Sequence, residues 1–525
     1  MMSNAGAPAR NKATRREWIG LAVLALPCVL YSMDLTVLYL AVPYLSADIQ
    51  PTSSQLLWII DIYGFFVAAS LITMGTLGDR IGRRRLLMIG AGAFGLASVL
   101  AAFSNSAEML IIARAILGIA GATLAPSTLS LIRNMFPDSG ERTFAIGVWA
   151  TSYSVGGMIG PLLGGLMLEY FWWGSVFLLG VPVMVLLLIV GPLLLPEYRD
   201  HHSGKIDLFS AFLSLVAVLA AIYGVKNIAA HGPGWIAALS IASGLVIGAL
   251  FLMRQRKLED PFIDLNLFRS KTFSTSLVIN LLGLFIAFGS FLFVGQYLQL
   301  VLGLSPLEAG LWMLPSSFGF IAGSLLAPVF VRHLRKAVVM CAGLTLTAIG
   351  FALLAFAHGP QALGVIISAT FIYAFGIAPV ITLTTDLIVG SAPPSRAGSA
   401  AAISETGAEF GGALGIAILG SIFTAIYRGI MIDAIPEGTP AMAAAAARST
   451  LGGAVGAARD LPDLAGALLL NHARDAFVDA FEFTVIVCAL IALAAAVLAA
   501  LMFRHTRAGE VTEADTKIAN DAMVS

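Results

Sequence analysis

The chain has 525 residues, of which 58% are hydrophobic and 11% charged, and its formal charge is zero. Soluble chains carry about 25% charged residues, so this composition excludes an ordinary aqueous globule and points to lipid. Balanced charge gives no argument for nucleic-acid binding, and the three cysteines, Cys28, Cys341 and Cys488, lie in apolar runs that suggest neither a disulfide framework nor a metal cluster.

Residues 1–17 are polar and carry Arg10, Lys12, Arg15 and Arg16. No small-residue cleavage site follows the first apolar run, so the expectation is a cytoplasmic tail and an uncleaved first span. A helix needs about 20 apolar residues to cross a bilayer. Segments of that kind lie at 18–45, 55–77, 86–104, 108–133, 142–167, 174–195, 207–228, 235–253, 273–302, 308–331, 336–358, 361–389, 396–424 and 476–503. The expected fold is therefore an all-α integral membrane protein with 14 transmembrane helices. They divide into a bundle of six at 18–195, two inserted helices at 207–253, a cytoplasmic linker at 254–272, a second bundle of six at 273–503 and a cytoplasmic tail at 504–525.

The stretch GTLGDRIGRRR, Gly75 to Arg85, places Arg80, Arg83, Arg84 and Arg85 in a short hinge between spans 2 and 3. Basic residues in short loops stay on the cytoplasmic side. Threading from this point puts 24 of the 30 Lys and Arg on inner segments. The short outer loops carry none, and both termini fall on the cytoplasmic side. Glycines at 75, 78 and 82 permit a tight turn. Asp79 has two readings, accepting donors from a helix start or pairing with an arginine across the turn. From composition alone, Gly75, Asp79, Arg80, Gly82 and Arg83 also read as a charged loop that only fixes orientation. The loop VRHLRK at 331–336 holds the same place in the second bundle, an internal echo of the kind paired-repeat transporters show.

Two connections depart from regularity. The linker RQRKLEDPFIDLNLF at 254–268 has the charge and proline of a connector with room for a short surface helix. The outer segment 425–475 is polar and alanine-rich. It reads either as a helical pair on the membrane or as a disordered loop.

Ionisable side chains at membrane depth are functional candidates by default. Asp34 in span 1, Asp61 in span 2, Arg114 in span 4, and Glu405 and Glu409 in span 13 fall between the midplane and the outer third when helices rise about 1.5 Å per residue. A carboxyl group in low dielectric holds its proton until a cation or water arrives, so Asp34, Glu405, Glu409 and Arg114 are the expected proton-coupling set. Glu405 and Glu409 share a helix face at i, i+4 and do not both ionise. Arg114 is the one deep cation, and Asp34 is its natural partner; a purely structural ion pair is the competing reading. Asp61 is either a cation-attracting mouth residue or an interface anchor beside Trp58. Asp386, near the inner end of span 12, reads as structural.

Span 5 contains SYSVGGMIGPLLGG, with Gly156, Gly160 and Gly164 every four residues and Pro161 among them. Small residues at this spacing let another helix approach closely, and proline favours a kink. Aromatic and amide groups form a third set. Tyr31, Trp58, Trp149, Tyr297 and Gln296, with Asp61, are the expected substrate-binding residues. Tyr39, Tyr153, Phe293, Trp312, Tyr373 and Asn280 are further cavity candidates.

These motifs carry a family resemblance over roughly the whole apolar part of the chain. GTLGDRIGRRR resembles the loop after span 2 of the major facilitator superfamily. MDLTVLYLAVP at 33–43, ARAILGIAGATLAPS at 113–127, GGMIGPLLGG in span 5 and GSAAAISETGAEFGGALGIAILG at 398–420 resemble the signatures of its fourteen-span drug:proton antiporters. The resemblance is to bacterial pumps for quaternary ammonium compounds, dyes and methyl viologen. It implies two six-helix bundles plus two inserted helices in a bacterial plasma membrane. It also implies alternating access, with Gly75, Asp79, Arg80, Gly82 and Arg83 as a cytoplasmic gate, outward movement of lipophilic cations and inward movement of protons, with acids at Asp34 and span 13 in coupling and Asp61 in transport. Some relatives carry an acid within span 10; here that span has one only at its outer end, Glu308.

An enzyme is not expected, because no phosphate loop, nucleophile set or metal-ligand spacing occurs. No cofactor and no metal are called for, and the expected assembly is a monomer in the bilayer whose partners are small lipophilic cations and protons. The alternative is a major facilitator that imports or exports one narrow metabolite.

Overall fold

The structure is a computed structural model. It describes residues 12–49, 51, 53–199, 207–231, 234–258, 261, 263, 265–304, 306–393, 396–436, 438–459 and 461–503.

The first bundle contains α1 (Arg15–Ile49), α2 (Ser53–Ile81), α3 (Arg83–Ala102), α4 (Ala107–Met135), α5 (Ser139–Tyr170), the single turn α6 (Ser175–Leu178) and α7 (Gly180–Leu194). An outlying pair follows, α8 (Leu208–His231) and α9 (Trp235–Gln255). The rest comprises α10 (Lys271–Gln296), α11 (Pro306–His333), α12 (Lys336–Leu354), α13 (Ala362–Gly390), α14 (Ala397–Ala434), two short helices α15 (Ala441–Ser449) and α16 (Leu451–Arg459), and α17 (Asp463–Phe503). Among the described residues, twelve helices are long and apolar enough to cross a membrane. A helix lies over each of the fourteen predicted segments, with α5 and α8 covering the remaining two.

Helix starts follow local chemistry. Ser106 accepts a hydrogen bond from Met109 N at 3.2 Å, Asp138 accepts from Gly140 N and Glu141 N at 3.0 and 3.1 Å, and Ser270 accepts from Phe273 N at 3.3 Å. Each oxygen satisfies donors that the first turn leaves orphaned. The linker 254–268 contains the start of a 3-10 helix, Leu265–Arg269.

Side chains from α1 to α7 pack around one core, built on residues such as Leu24, Leu87, Leu117 and Phe136. A second core gathers α10, α12, α13, α14 and α17 around Phe351, Phe423, Phe477 and Phe481. Glycines set the closest approaches. A Cβ on Gly156 would lie 2.9 Å from the carbonyl carbon of Val29, and one on Gly164 would lie 2.7 Å from Val37 Cγ1, so the span-5 stripe seats α5 along α1. The second bundle repeats the device, since Cβ atoms on Gly411 and Gly415 would meet Leu281 O at 2.7 Å and Phe285 C at 2.8 Å, seating α14 along α10. Gly160 is buried in the same stripe, and the side chain of Pro161 lies outside the described residues.

The α8–α9 pair rests on both halves. Phe65 and Ala68 of α2, Ile222 of α8 and Phe410 of α14 share one cluster. Arg254 Nη2 meets Asp207 Oδ2 at 2.8 Å and Gln255 donates to Ser210 Oγ at 2.8 Å, closing the hairpin at one end.

Of the two readings of 425–475, the helical pair is the one formed. α14 and α17 run past the predicted ends of their spans, and Ala447, Leu451 and Ala454 of the intervening helices join the second core. Tyr427 donates to Ala447 O at 2.9 Å. Buried alanines give this segment an apolar face to seat, which a disordered loop lacks.

Candidate functional site

The interior acids fall into two groups. On the first, Arg114 of α4 is fully enclosed. Its Nη1 donates to Asp34 Oδ2 of α1 at 2.7 Å and its Nε to the carbonyl of Ile59 at 3.0 Å. Its guanidinium sits 4.9 Å from the centroid of Tyr63 and 5.9 Å from that of Phe177. Asp34 borders a small apolar crevice with Leu30, Phe94 and Val176, inside the first bundle. Ion pair, backbone acceptor and ring faces together replace the water that a guanidinium gives up.

The second group joins the bundles. Tyr31 of α1 donates to Glu409 Oε1 of α14 at 2.7 Å. The Tyr31 ring lies 5.7 Å from Tyr153 and 5.9 Å from Tyr63, and Tyr153 meets Trp149 edge-on at 4.9 Å. Trp149 donates to Thr128 Oγ1 at 3.1 Å, and Cys28 Sγ lies 3.9 Å from the same hydroxyl. Glu405, one turn before Glu409, shares the electrostatic surroundings of Cys28, Tyr31 and Tyr153. Asp34, Arg114, Tyr31, Trp149, Glu405 and Glu409 are thus gathered, with Tyr63 between the two groups. Sequence reasoning passed over Tyr63, although it stands two residues after Asp61.

Other expected members stand apart. Tyr297 is buried in the second core against Phe477 and Phe481, with its hydroxyl donating to Ala357 O. It opens a five-residue π-helical turn, Tyr297–Val301, with Gln296 just before it. Trp58 is 40% exposed and meets Phe65 edge-on at 6.1 Å. The side chains of Asp61 and Tyr39 lie outside the described residues.

At the arginine-rich end the two readings of Asp79 hold together. Asp79 pairs with Arg83, and its carboxylate accepts from Gly398 N at 3.3 Å, Ser399 N at 3.0 Å and Ser399 Oγ at 3.1 Å. It therefore caps the start of α14 from the opposite bundle, where the helix dipole favours an anion. The expectation of three glycines in a turn is corrected. Helix α2 continues through Gly75 and Gly78 to Ile81 with Arg80 in its last turn, and Gly82 alone has positive φ, 113°. A Cβ on Gly75 would lie 2.7 Å from Gly398 O, so that glycine serves helix approach rather than turning. Glu197, after α7, accepts from Arg84 N at 3.0 Å and Arg85 N at 3.2 Å and so caps α3.

Asp386, expected to be structural, has partners on both bundles. It is fully buried at the end of α13 and accepts from Arg142 Nε at 2.6 Å, Thr143 Oγ1 at 3.2 Å and Lys336 Nζ at 2.8 Å. Arg142 and Thr143 belong to α5, so this acid also ties one bundle to the other. Asp79 and Asp386 close the same end by opposite routes. The sequence signal was available, since acids near inner span ends faced arginines across short loops, but partners remote in sequence gave it no register.

The profile of the Major Facilitator Superfamily matches residues 24–416. The chain belongs to this superfamily, a family of multi-pass membrane transporters, and is not an enzyme. It is 42% identical over 501 residues to the protein named multidrug efflux pump LfrA of Mycolicibacterium smegmatis, covering 95% of this chain and 99% of that one. It is 35% identical over 468 residues to the methyl viologen resistance protein SmvA of Salmonella typhimurium, covering 88% and 93%. Among solved structures, a double-tryptophan mutant of XylE superposes with a TM-score of 0.60 at 16% identity, over 95% of this chain and 98% of that one, a likeness of fold.

Proposed function

We propose that this protein is a proton-coupled multidrug efflux antiporter, exporting lipophilic cations across the bacterial plasma membrane by alternating access. The single observation that carries the reading is the cross-bundle cluster of Glu405, Glu409, Tyr31, Tyr63 and Tyr153. It supplies carboxylates to attract a cation and ring faces to hold an apolar one, at the place where two rocking bundles meet. Similarity to LfrA, named a multidrug efflux pump, and to SmvA, named a methyl viologen resistance protein, supports outward drug movement.

In this reading Glu405 and Glu409 share one exchangeable charge, and a proton and a cation compete for it. Asp34 balances Arg114 and takes part when the pair loosens. The ties through Asp79 and Asp386 close the cytoplasmic end while the guest leaves outward. Fourteen crossings, both termini inside and a monomeric unit complete the reading. Quaternary ammonium compounds and methyl viologen are the favoured guests.

The test uses the purified full chain in proteoliposomes, with tetraphenylphosphonium as probe. An inside-acid proton gradient should drive its uptake into the proteoliposomes, and Glu405→Gln and Glu409→Gln should each reduce coupled flux by about an order of magnitude, with the double variant little slower than the worse single one. Full coupling in the double variant rules the mechanism out. Transport of a single metabolite with no response to any of several cations favours the narrow-substrate alternative.

A further inference from the structure

Tyr31 makes the hydrogen bond that joins α1 to α14 at the level of the interior acids, 2.7 Å from oxygen to oxygen. A carboxylate acceptor gives a short, charge-assisted bond, and protonating that carboxyl group weakens it. The Tyr63 hydroxyl, 3.2 Å from where a Cβ on Gly121 of α4 would stand, is fully buried, and among the described residues no hydrogen-bond partner meets it. The two rings stand 5.9 Å apart at 48°, and the Tyr63 ring faces Arg114, which holds Asp34. One hydroxyl is thus engaged across the bundle boundary, while a neighbouring buried hydroxyl within the same bundle waits unsatisfied. Buried polar groups are strongly driven to find partners.

We propose that Tyr31 is a positioning residue that converts the charge state of Glu409 into the seating of the two bundles. When Glu409 is ionised, the Tyr31 hydroxyl donates to it and holds α1 against α14. When Glu409 takes a proton, the Tyr31 hydroxyl turns to the Tyr63 hydroxyl, and the tie between bundles is released. The proton enters on Glu409, forming its carboxyl O–H bond, and leaves by breaking that same bond; Tyr31 and Tyr63 only exchange hydrogen bonds and keep their own O–H bonds. The charged and titratable groups around this switch are Tyr31 and Asp34 on α1, Tyr63 on α2, Arg114 on α4, Tyr153 on α5 and Glu405 on α14. Neighbouring faces of α8 and α10 present Val218, Leu219, Leu281 and Phe285 to α14. The inference rests on the proton-coupled reading given above.

The experiment measures tetraphenylphosphonium-driven proton flux in proteoliposomes of the full chain. Tyr31→Phe should lower the maximal rate about tenfold while the half-saturating concentration stays within about twofold, because a charge-assisted bond is lost and a ring face is kept. Glu409→Asp keeps the acid but withdraws it from the hydroxyl, so it should show the same loss, and the double variant should be no slower than either single one. Tyr63→Phe, which changes no ring, should also slow the maximal rate without weakening equilibrium binding of the probe. Losses that multiply in the double variant overturn the proposal, as does a Tyr31→Phe effect confined to half-saturation or a Tyr63→Phe protein of full rate. Glu409→Gln separates the two ideas. If it keeps full coupled flux, the proton reading itself fails; if it loses flux while Tyr31→Phe does not, the switch alone fails.

Discussion

Asp34 and Arg114 illustrate how one buried charge constrains a second. Arg114 is enclosed by α1, α2 and α4, and the Asp34 carboxylate is its anionic partner. Removing one member of such a pair strands the other in low dielectric, which destabilises by about 3–5 kcal/mol, whereas replacing both by apolar groups of similar volume is often neutral. Asp34→Asn should therefore lower thermal stability in detergent markedly, and Asp34→Leu with Arg114→Met should be much closer to the parent. Transport need not recover with it. A double variant as unstable as the single one would show that the pair is not the source of the penalty.

For helices, the decisive contacts are made by residues with no side chain. A Cβ on Gly156 would press on the Val29 backbone, which cannot yield as a flexible side chain would, while nothing lies within 4 Å of a Cβ on Gly165. Overpacking of this sort costs about 1–3 kcal/mol. Gly156→Ala should lower the melting temperature of the purified protein and Gly165→Ala should leave it unchanged; equal effects would refute the assignment of the stripe to the α1–α5 contact. Gly82 poses a different constraint. Its φ of 113° is a conformation L-residues rarely adopt, and a Cβ there would lie 2.6 Å from Glu197 Oε1. Gly82→Ala should thus disturb both the turn and the cap on α3, read as faster proteolysis at the arginine-rich loop.

Across the whole molecule, two buried carboxylates hold one end of the bundles together from opposite sides. Asp79 reaches from α2 to the start of α14, and Asp386 reaches from α13 to the start of α5. Neutralising either should shift the population toward the state open at this end, and neutralising both should shift it further. A cysteine placed at Ser399 or Thr143 would interfere with the contact itself, so the label belongs further inward, one turn on at Ile403 or two turns on at Ala150. Its reaction with a small maleimide should speed up in Asp79→Asn and Asp386→Asn. Unchanged labelling in the double variant would show that these ties do not keep the end shut.

The positions of the long apolar helices along the chain, the acids carried within them and the α5 glycine stripe were legible in the sequence because each depends on local composition or a short period. The family motifs added what residue chemistry did not specify, an expected direction of movement and class of guest. Tertiary structure decided which acid meets which partner. Asp79 needed the start of α14, Asp386 needed α5 of the other bundle, and Tyr31 needed Glu409, pairs separated by hundreds of residues. It also separated Tyr297 from the aromatic cluster and found the unsatisfied hydroxyl of Tyr63. Hydrophobicity along the chain fixes how many helices lipid will accept, but the rotation and depth of each helix are set by glycine contacts and buried charge pairs with neighbours that linear order does not reveal.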